Sequence, residues 1–76
     1  MIEIENIRFD GVAGYNFDAV INGQRVTGCR ATMGRTTGRL EAIPPQHAAQ
    51  IDWGEISIAD LSAAARTTIN SLGNID

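Results

Sequence analysis

The chain has 76 residues and a formal net charge of −3, with 43% hydrophobic and 5% aromatic residues. This composition excludes a disordered tail and indicates one small globular domain, residues 1–76, with an aliphatic core. A single cysteine excludes an internal disulfide, and the lack of a long apolar run or a secretory leader pattern predicts a cytoplasmic chain without membrane association.

The first predicted element is a strand over Met1–Phe9. Ile2 and Ile4 occupy even positions, whereas the apolar residues after residue 6 occupy odd ones. A change of parity within one strand indicates an extra residue, so we expect a kink or bulge near Glu5-Asn6. Asp10-Gly11 then predicts a turn, followed by a glycine-bracketed connection to the next strand.

The strongest local signal is a β-hairpin over Tyr15–Thr32. Asn22-Gly23 suits a two-residue type I′ turn, which needs positive φ at both central positions. Apolar residues before Gly28 fall on even positions of the second strand and those after it on odd positions, which predicts a bulge at Thr27-Gly28. The alternative is that this strand ends at Thr27. With the bulge, one wet face carries Asn16, Asp18, Arg25, Arg30 and Thr32.

The middle of the chain predicts a loop and two short elements. Gly34–Gly38 predicts a hairpin loop, and Arg39–Ile43 a fourth short strand, with the start of a helix as the alternative. Pro44-Pro45 prevents a helix from continuing, but proline fits the first position of a new one. We therefore expect a short helix over Gln46–Asp52, ended by Gly54 and packing Ala48, Ile51 and Trp53 inward.

The clearest helix begins after Ser57, an N-cap residue with Asp60 in the capping-box position. Ile56 before the cap is expected to pack on Leu61, and Gly73 to end the helix. The apolar stripe consists of Ile58, Leu61, Ala65, Ile69 and Leu72. The residues assigned to the exposed side are Ser62, Arg66, Thr67, Asn70 and Ser71.

Together these elements predict an α+β fold. We expect an antiparallel meander sheet of three or four strands, with the short helix and the long C-terminal helix packed on one face.

Residues that carry chemistry are few. Cys29 and His47 would have to meet in a cleft to act as nucleophile and base, and Cys29 falls among core-facing positions. One cysteine and one histidine do not make a zinc site, which needs three or four ligands. Gly34–Gly38 lacks the lysine and the strand–loop–helix context of a phosphate-binding loop. We expect no enzymatic activity, no cofactor and no metal.

Charge is distributed unevenly along the chain. Residues 19–40 contain four arginines and no acid, whereas the segments on either side are net acidic. We predict that a binding surface for a partner protein combines these arginines with two neighbouring polar residues: Arg25, Arg30, Arg35, Arg39, Asn16 and Asp18. One alternative is direct nucleic-acid binding through the arginines, although the chain lacks the interleaved aromatic residues typical of such modules. The other is a homodimer or structural module that pairs through Met1–Phe9.

In its size, its acidity, its lack of evident catalytic residues and its hairpin-plus-helix layout, the chain resembles small phage-encoded inhibitors, anti-CRISPR proteins among them. The resemblance covers the whole chain at the level of architecture, and no motif supports it. It implies an inhibitor or regulator that binds a host nucleic-acid-handling assembly, such as a ribonucleoprotein complex. Many bacterial proteins of unknown function share the same features, which leaves a dimerisation or structural module as the alternative.

Overall fold

Four antiparallel strands in consecutive order form one sheet, and a helix packs against one of its faces. The computed structural model describes residues 1–11 and 14–73. The elements are β1 (Ile2–Phe9), β2 (Gly14–Ile21), β3 (Gln24–Met33), β4 (Leu40–Ile43), a 3-10 helix (Gln46–Gln50) and α1 (Ile58–Gly73). The predicted α+β meander is confirmed, with strand rather than helix at Leu40–Ile43. Among the described residues, no helix is long and apolar enough to cross a membrane.

The hairpin between β2 and β3 turns at Asn22-Gly23 as predicted. The φ angles are 51° at Asn22 and 80° at Gly23, the signs that a type I′ turn requires. Ile21 pairs with Gln24 in the ladder beside the turn. The turn also binds other segments, because Asn22 Oδ1 accepts a hydrogen bond from the N-terminal amine of Met1 at 3.0 Å, and Asn22 Nδ2 donates to the Trp53 carbonyl at 3.2 Å.

Both predicted bulges are present, and they meet at one residue of β2. The ladder shifts after Glu5 in β1, where Asn6 has a φ of 52°, and again in β3, where Gly28 has a φ of 82°. Asp18 lies between them: its carboxylate accepts hydrogen bonds from Asn6 Nδ2 at 2.9 Å and from Gly28 N at 3.3 Å. The Asn6 hydrogen bond is the main reason that the pKa of Asp18 is lowered, and the Gly28 N–H and the charges of nearby arginines act in the same direction.

The bulge in β3 is what gives the sheet one continuous apolar face. It lets Phe17 pair with Cys29 while Ala19 still pairs with Val26, so Val26 and Cys29 both point inward. Leu61 adds the largest buried side chain of α1. The core consists of Phe17, Ala19, Ile21, Val26, Cys29, Ala31, Ala42, Ala48, Leu61 and Ala65.

The start of α1 follows its sequence signals closely. Ser57 N donates to Asp60 Oδ2 at 2.9 Å, and Asp60 N donates to Ser57 Oγ at 3.2 Å, which together form the reciprocal capping box. The apolar stripe is buried only at its centre. Ile58 at one end is 52% exposed and Leu72 at the other is 45% exposed.

The prediction that Ser62 and Arg66 lie on the exposed side of α1 is wrong. Ser62 is only 5% exposed, and its Oγ accepts a hydrogen bond of 2.8 Å from the backbone N–H of Ala42. Arg66 Nη1 donates to the Leu40 carbonyl, also at 2.8 Å. The backbone carbonyl of Leu40 and the backbone N–H of Ala42 are two residues apart, so both point away from β3, at the outer edge of β4. The helix therefore covers this edge and binds backbone groups that would otherwise lack partners.

The short helix differs from the prediction in type and in its end. It has 3-10 geometry, with Ala48 N donating to the Pro45 carbonyl at 3.0 Å, and it ends at Gln50 rather than at Asp52. The side chain of Gln24 explains the early end, because it accepts from Asp52 N at 3.0 Å and donates to the Asp52 carbonyl at 2.7 Å. Ile51, the residue that follows the helix, is already extended, with a φ of −89° and a ψ of 164°.

Candidate protein-binding surface

The face of the sheet opposite α1, here called the outer face, has no covering element among the described residues. Strand alternation and the ladder registers define its members. The side chains on it are mostly polar and charged, and they are Glu3, Glu5, Arg8, Asn16, Asp18, Val20, Arg25, Arg30, Thr32, Glu41 and Ile43. Four of the six residues predicted to bind a partner therefore share one surface.

Both predicted arginines of β3 are engaged in ion pairs on this face. Arg25 Nη1 lies 2.5 Å from Glu5 Oε1, an oxygen that this contact buries and that has no hydrogen bond among the described residues. Arg30 Nη2 lies 3.2 Å from Asp10 Oδ2. Each pair crosses over β2, since the acids belong to β1 and to the turn after it. The outer face thus carries compensated charges, although both guanidinium side chains remain more than half exposed.

The two polar residues predicted to accompany the arginines have different surroundings. Asn16 pairs with Arg30 on one side and with Arg8 on the other, so its side chain lies between two guanidinium-bearing residues. The carboxylate of Asp18 accepts hydrogen bonds from the two bulges, at Asn6 and at Gly28. Asp18 therefore supports the surface as well as forming part of it.

Arg35 and Arg39 do not join the other two arginines. They belong to the loop between β3 and β4, which is closed by hydrogen bonds from Gly34 N to the Arg39 carbonyl at 2.8 Å and from Gly38 N to the Gly34 carbonyl at 3.0 Å. Within the described part of the chain, neither arginine forms an ion pair. Arg39 instead lines a small cleft against α1, together with Arg66, which the sequence analysis had placed on the exposed side of that helix.

A second concavity is apolar, and no pattern in the sequence predicted it. It has a volume of about 510 Å³ and lies between the 3-10 helix and the start of α1, with Pro44, Pro45, Trp53, Ile56 and Ile58 in its walls. Trp53 is held there by a hydrogen bond of 2.7 Å from its Nε1 to the Ala48 carbonyl. The alternation within each segment gives no sign of this groove, because its walls come from pieces that only the tertiary fold brings together.

Cys29 and His47 do not form a reactive pair. Cys29 is fully buried, and burial raises the pKa of its thiol to about 11, with the nearby charge of Asp18 acting in the same direction. His47 is exposed on the 3-10 helix. Across residues 1–11 and 14–73, no group of three or more histidine, cysteine, aspartate or glutamate side chains is placed to hold a metal ion.

No protein-family model matches the chain, and comparisons with curated proteins and with solved structures also found no significant similarity.

Proposed function

We propose that the chain is a protein-binding module that contacts its partner through the outer face and the Gly34–Gly38 loop. The observation that supports this best is the pairing of Arg25 with Glu5 and of Arg30 with Asp10. A surface of alternating positive and negative charges complements another protein, whose surface carries both signs, better than it complements a chain of phosphates.

The dimensions of the face support including the loop in the proposed interface. Four strands of these lengths, at about 4.8 Å between strands and 3.3 Å per residue, give roughly 500 Å². A specific interface buries about 800 Å² on each partner. The loop with Arg35 and Arg39 adjoins β4 and supplies further area, so we place it within the same interface.

We further propose that the partner is a cytoplasmic host assembly that handles nucleic acid, and that binding inhibits or regulates it in the manner of the anti-CRISPR type. Support for this finer proposal comes from the small size and the net charge of −3, which suit a compact protein that competes for a basic surface. We expect the chain to form a stoichiometric complex with such an assembly, and we expect the assembly to lose its nucleic-acid binding when the complex forms.

The test is site-specific photo-cross-linking. A photoreactive amino acid replaces Thr32 on the outer face, and a matched variant carries it at Ala63, an exposed position on α1. We expect one partner protein to be cross-linked from position 32 and not from position 63. Arg30→Glu, which places a second acid beside Asp10, should abolish that cross-link, whereas Thr67→Glu on α1 should preserve it. Equal yields from the two positions, or no protein partner from either, would overturn the proposal.

Direct nucleic-acid binding is the second candidate, and the unpaired Arg35 and Arg39 are the observation in its favour. Two phosphate contacts predict a salt slope near −1.8, and four predict about −3.6. A gel-shift series from 50 to 200 mM salt distinguishes these cases. A slope near −3.6 would mean that arginines other than Arg35 and Arg39 also contact phosphates, which would contradict the protein-binding proposal.

A homodimer is the third candidate. The edge of β4 is occupied by Ser62 and Arg66, so β1 is the outer strand that remains for pairing with a second copy. Light scattering at high protein concentration tests for the homodimer, and finding only a monomer would exclude this candidate.

A further inference from the structure

A small polar cleft lies between the loop that precedes β4 and the first turns of α1. Its volume is about 160 Å³, and Thr37, Arg39, Glu41, Ala59, Ser62 and Arg66 line it. A cleft of this volume has room for one oxyanionic group, and it suits a single side-chain head group.

The two guanidinium groups in the cleft have unused hydrogen-bonding capacity. Arg66 donates from Nη1 to the Leu40 carbonyl, and its other N–H groups have no partner among the described residues. The guanidinium of Arg39 likewise has none there, and neither arginine pairs with Glu41, although all three line the same space. A guanidinium carries five N–H donors, so most of the donors of these two lining residues are free to bind an anion.

We propose that this cleft binds a single carboxylate, held by Arg39 and Arg66. Two guanidinium charges and the Glu41 carboxylate leave a charge of +1, which one carboxylate neutralises. A phosphate group carries about −1.5 to −2 at neutral pH, so it would leave the cleft with a net negative charge next to Glu41, whereas one carboxylate leaves the cleft neutral. Arginine and carboxylate also match in their planar, two-pronged geometry. Resting on the proposed protein-binding function, we assign the source as an aspartate or glutamate side chain, or a terminal carboxylate, of the partner protein.

The experiment uses sodium acetate as the probe, titrated into the full chain at constant ionic strength against sodium chloride. The Nε–H signals of the arginines are followed by NMR. We expect saturable shifts at Arg39 and Arg66, and a weakening of about tenfold or more in Arg39→Gln, because hydrogen bonds to a charged group are the strong ones. Arg8→Gln serves as the matched control, since it removes the same charge from an exposed arginine outside the cleft, and it should leave acetate binding unchanged. Unsaturable shifts, or equal shifts at all arginines, would overturn the site.

A second titration, with inorganic phosphate, separates the two kinds of anion. Acetate should bind more tightly than phosphate in the natural chain, and Glu41→Gln, which removes the repelling charge, should reverse or erase that preference. Tighter phosphate binding in the natural chain would overturn the carboxylate assignment. The titrations need no partner, so the two proposals can fail separately. Failure of the titrations with successful cross-linking from Thr32 would refute only the carboxylate site. Successful titrations with no cross-link from Thr32 would refute only the protein-binding proposal.

Discussion

Ser62 provides the most informative test of how the helix and the sheet are joined. Its hydroxyl accepts a hydrogen bond of 2.8 Å from the backbone N–H of Ala42, and the side chain is buried. Ser62→Ala leaves that N–H without an acceptor and without access to water. Leaving a buried donor unpaired costs about 1–3 kcal/mol, a large share of the roughly 4–11 kcal/mol expected for a domain of this length.

The same substitution also improves helix propensity, and that gain must be separated from the lost hydrogen bond. Alanine favours a helix over serine by about 0.5 kcal/mol. Ser71→Ala is the matched control, since Ser71 lies exposed on the same helix and receives the same propensity gain. The difference between the two variants in the free energy of unfolding therefore isolates the contact with Ala42, and we expect it to be about 1–3 kcal/mol.

Urea denaturation followed by the fluorescence of Trp53, the only tryptophan, gives both free energies. Amide hydrogen exchange supplies an independent local measurement, because the Ala42 N–H should be protected in the natural chain and in Ser71→Ala, and should exchange faster in Ser62→Ala. If Ser62→Ala were no less stable than Ser71→Ala and the Ala42 amide kept its protection, the assignment of α1 as the cover of the β4 edge would be refuted.

Three further predictions concern the sheet. Gly28→Ala should destabilise the fold by about 1–2 kcal/mol in urea denaturation, because φ is 82° at this position and an L-residue adopts positive φ at that energetic cost. The added Cβ meets no atom within 4 Å, so steric overlap adds nothing to the effect. The lowered pKa of Asp18 means that its carboxylate contributes stability above its ordinary pKa of 3.8, and that this contribution is lost as the pH falls through the lower folded pKa. Asp18→Ala should remove that acid-side loss from stability measured as a function of pH, whereas an unchanged profile would assign the loss to other carboxylates. Cys29, with its pKa raised from 9.0 to about 11, should form about 100-fold less thiolate at pH 8 than it does unfolded, so iodoacetamide should modify it readily only in urea, as read by mass spectrometry.

The parts of the fold that the sequence predicted are those set by local chemistry. Asn22-Gly23 suits one type of turn, and the change of apolar parity at Gly28 requires an extra residue in β3. The same holds for the capping box of Ser57 and Asp60. In each case the residues that decide the structure lie within a few positions of one another, so the pattern is visible without knowledge of the tertiary fold.

The errors come from contacts between distant parts of the chain. Ser62 and Arg66 are polar residues on a helix, and helical periodicity assigns such residues to the solvent-exposed side. Periodicity contains no information about the edge of β4, whose backbone needs both an acceptor and a donor from the helix. The early end of the 3-10 helix has a similar cause, because Gln24 binds the backbone of Asp52 from 28 positions away.

The candidate site was predicted in part for the same reason. The bulge at Gly28 correctly placed Arg25 and Arg30 on the outer face. The predicted meander placed β1 beside β2, but the pairing with Glu5 and Asp10 depends on the register of β1 against β2 and β3, which no local pattern encodes. The cleft shared by Arg39 and Arg66 depends on where α1 docks, so it too appears only in three dimensions.

The position of Asp18 determines how the binding proposals must be tested. Its carboxylate holds Asn6 and Gly28, so replacing it disturbs two bulges and therefore the direction of the side chains beyond them in both neighbouring strands. Loss of binding in an Asp18 variant would not distinguish a contact residue from a support of the whole outer face. Arg30 does distinguish them, because an exposed ion pair with Asp10 contributes only about 0–1 kcal/mol to stability, and its replacement leaves the bulges intact. A partner that tolerates Arg30→Glu would thus not depend on the charge of Arg30, whatever Asp18→Ala does to its binding.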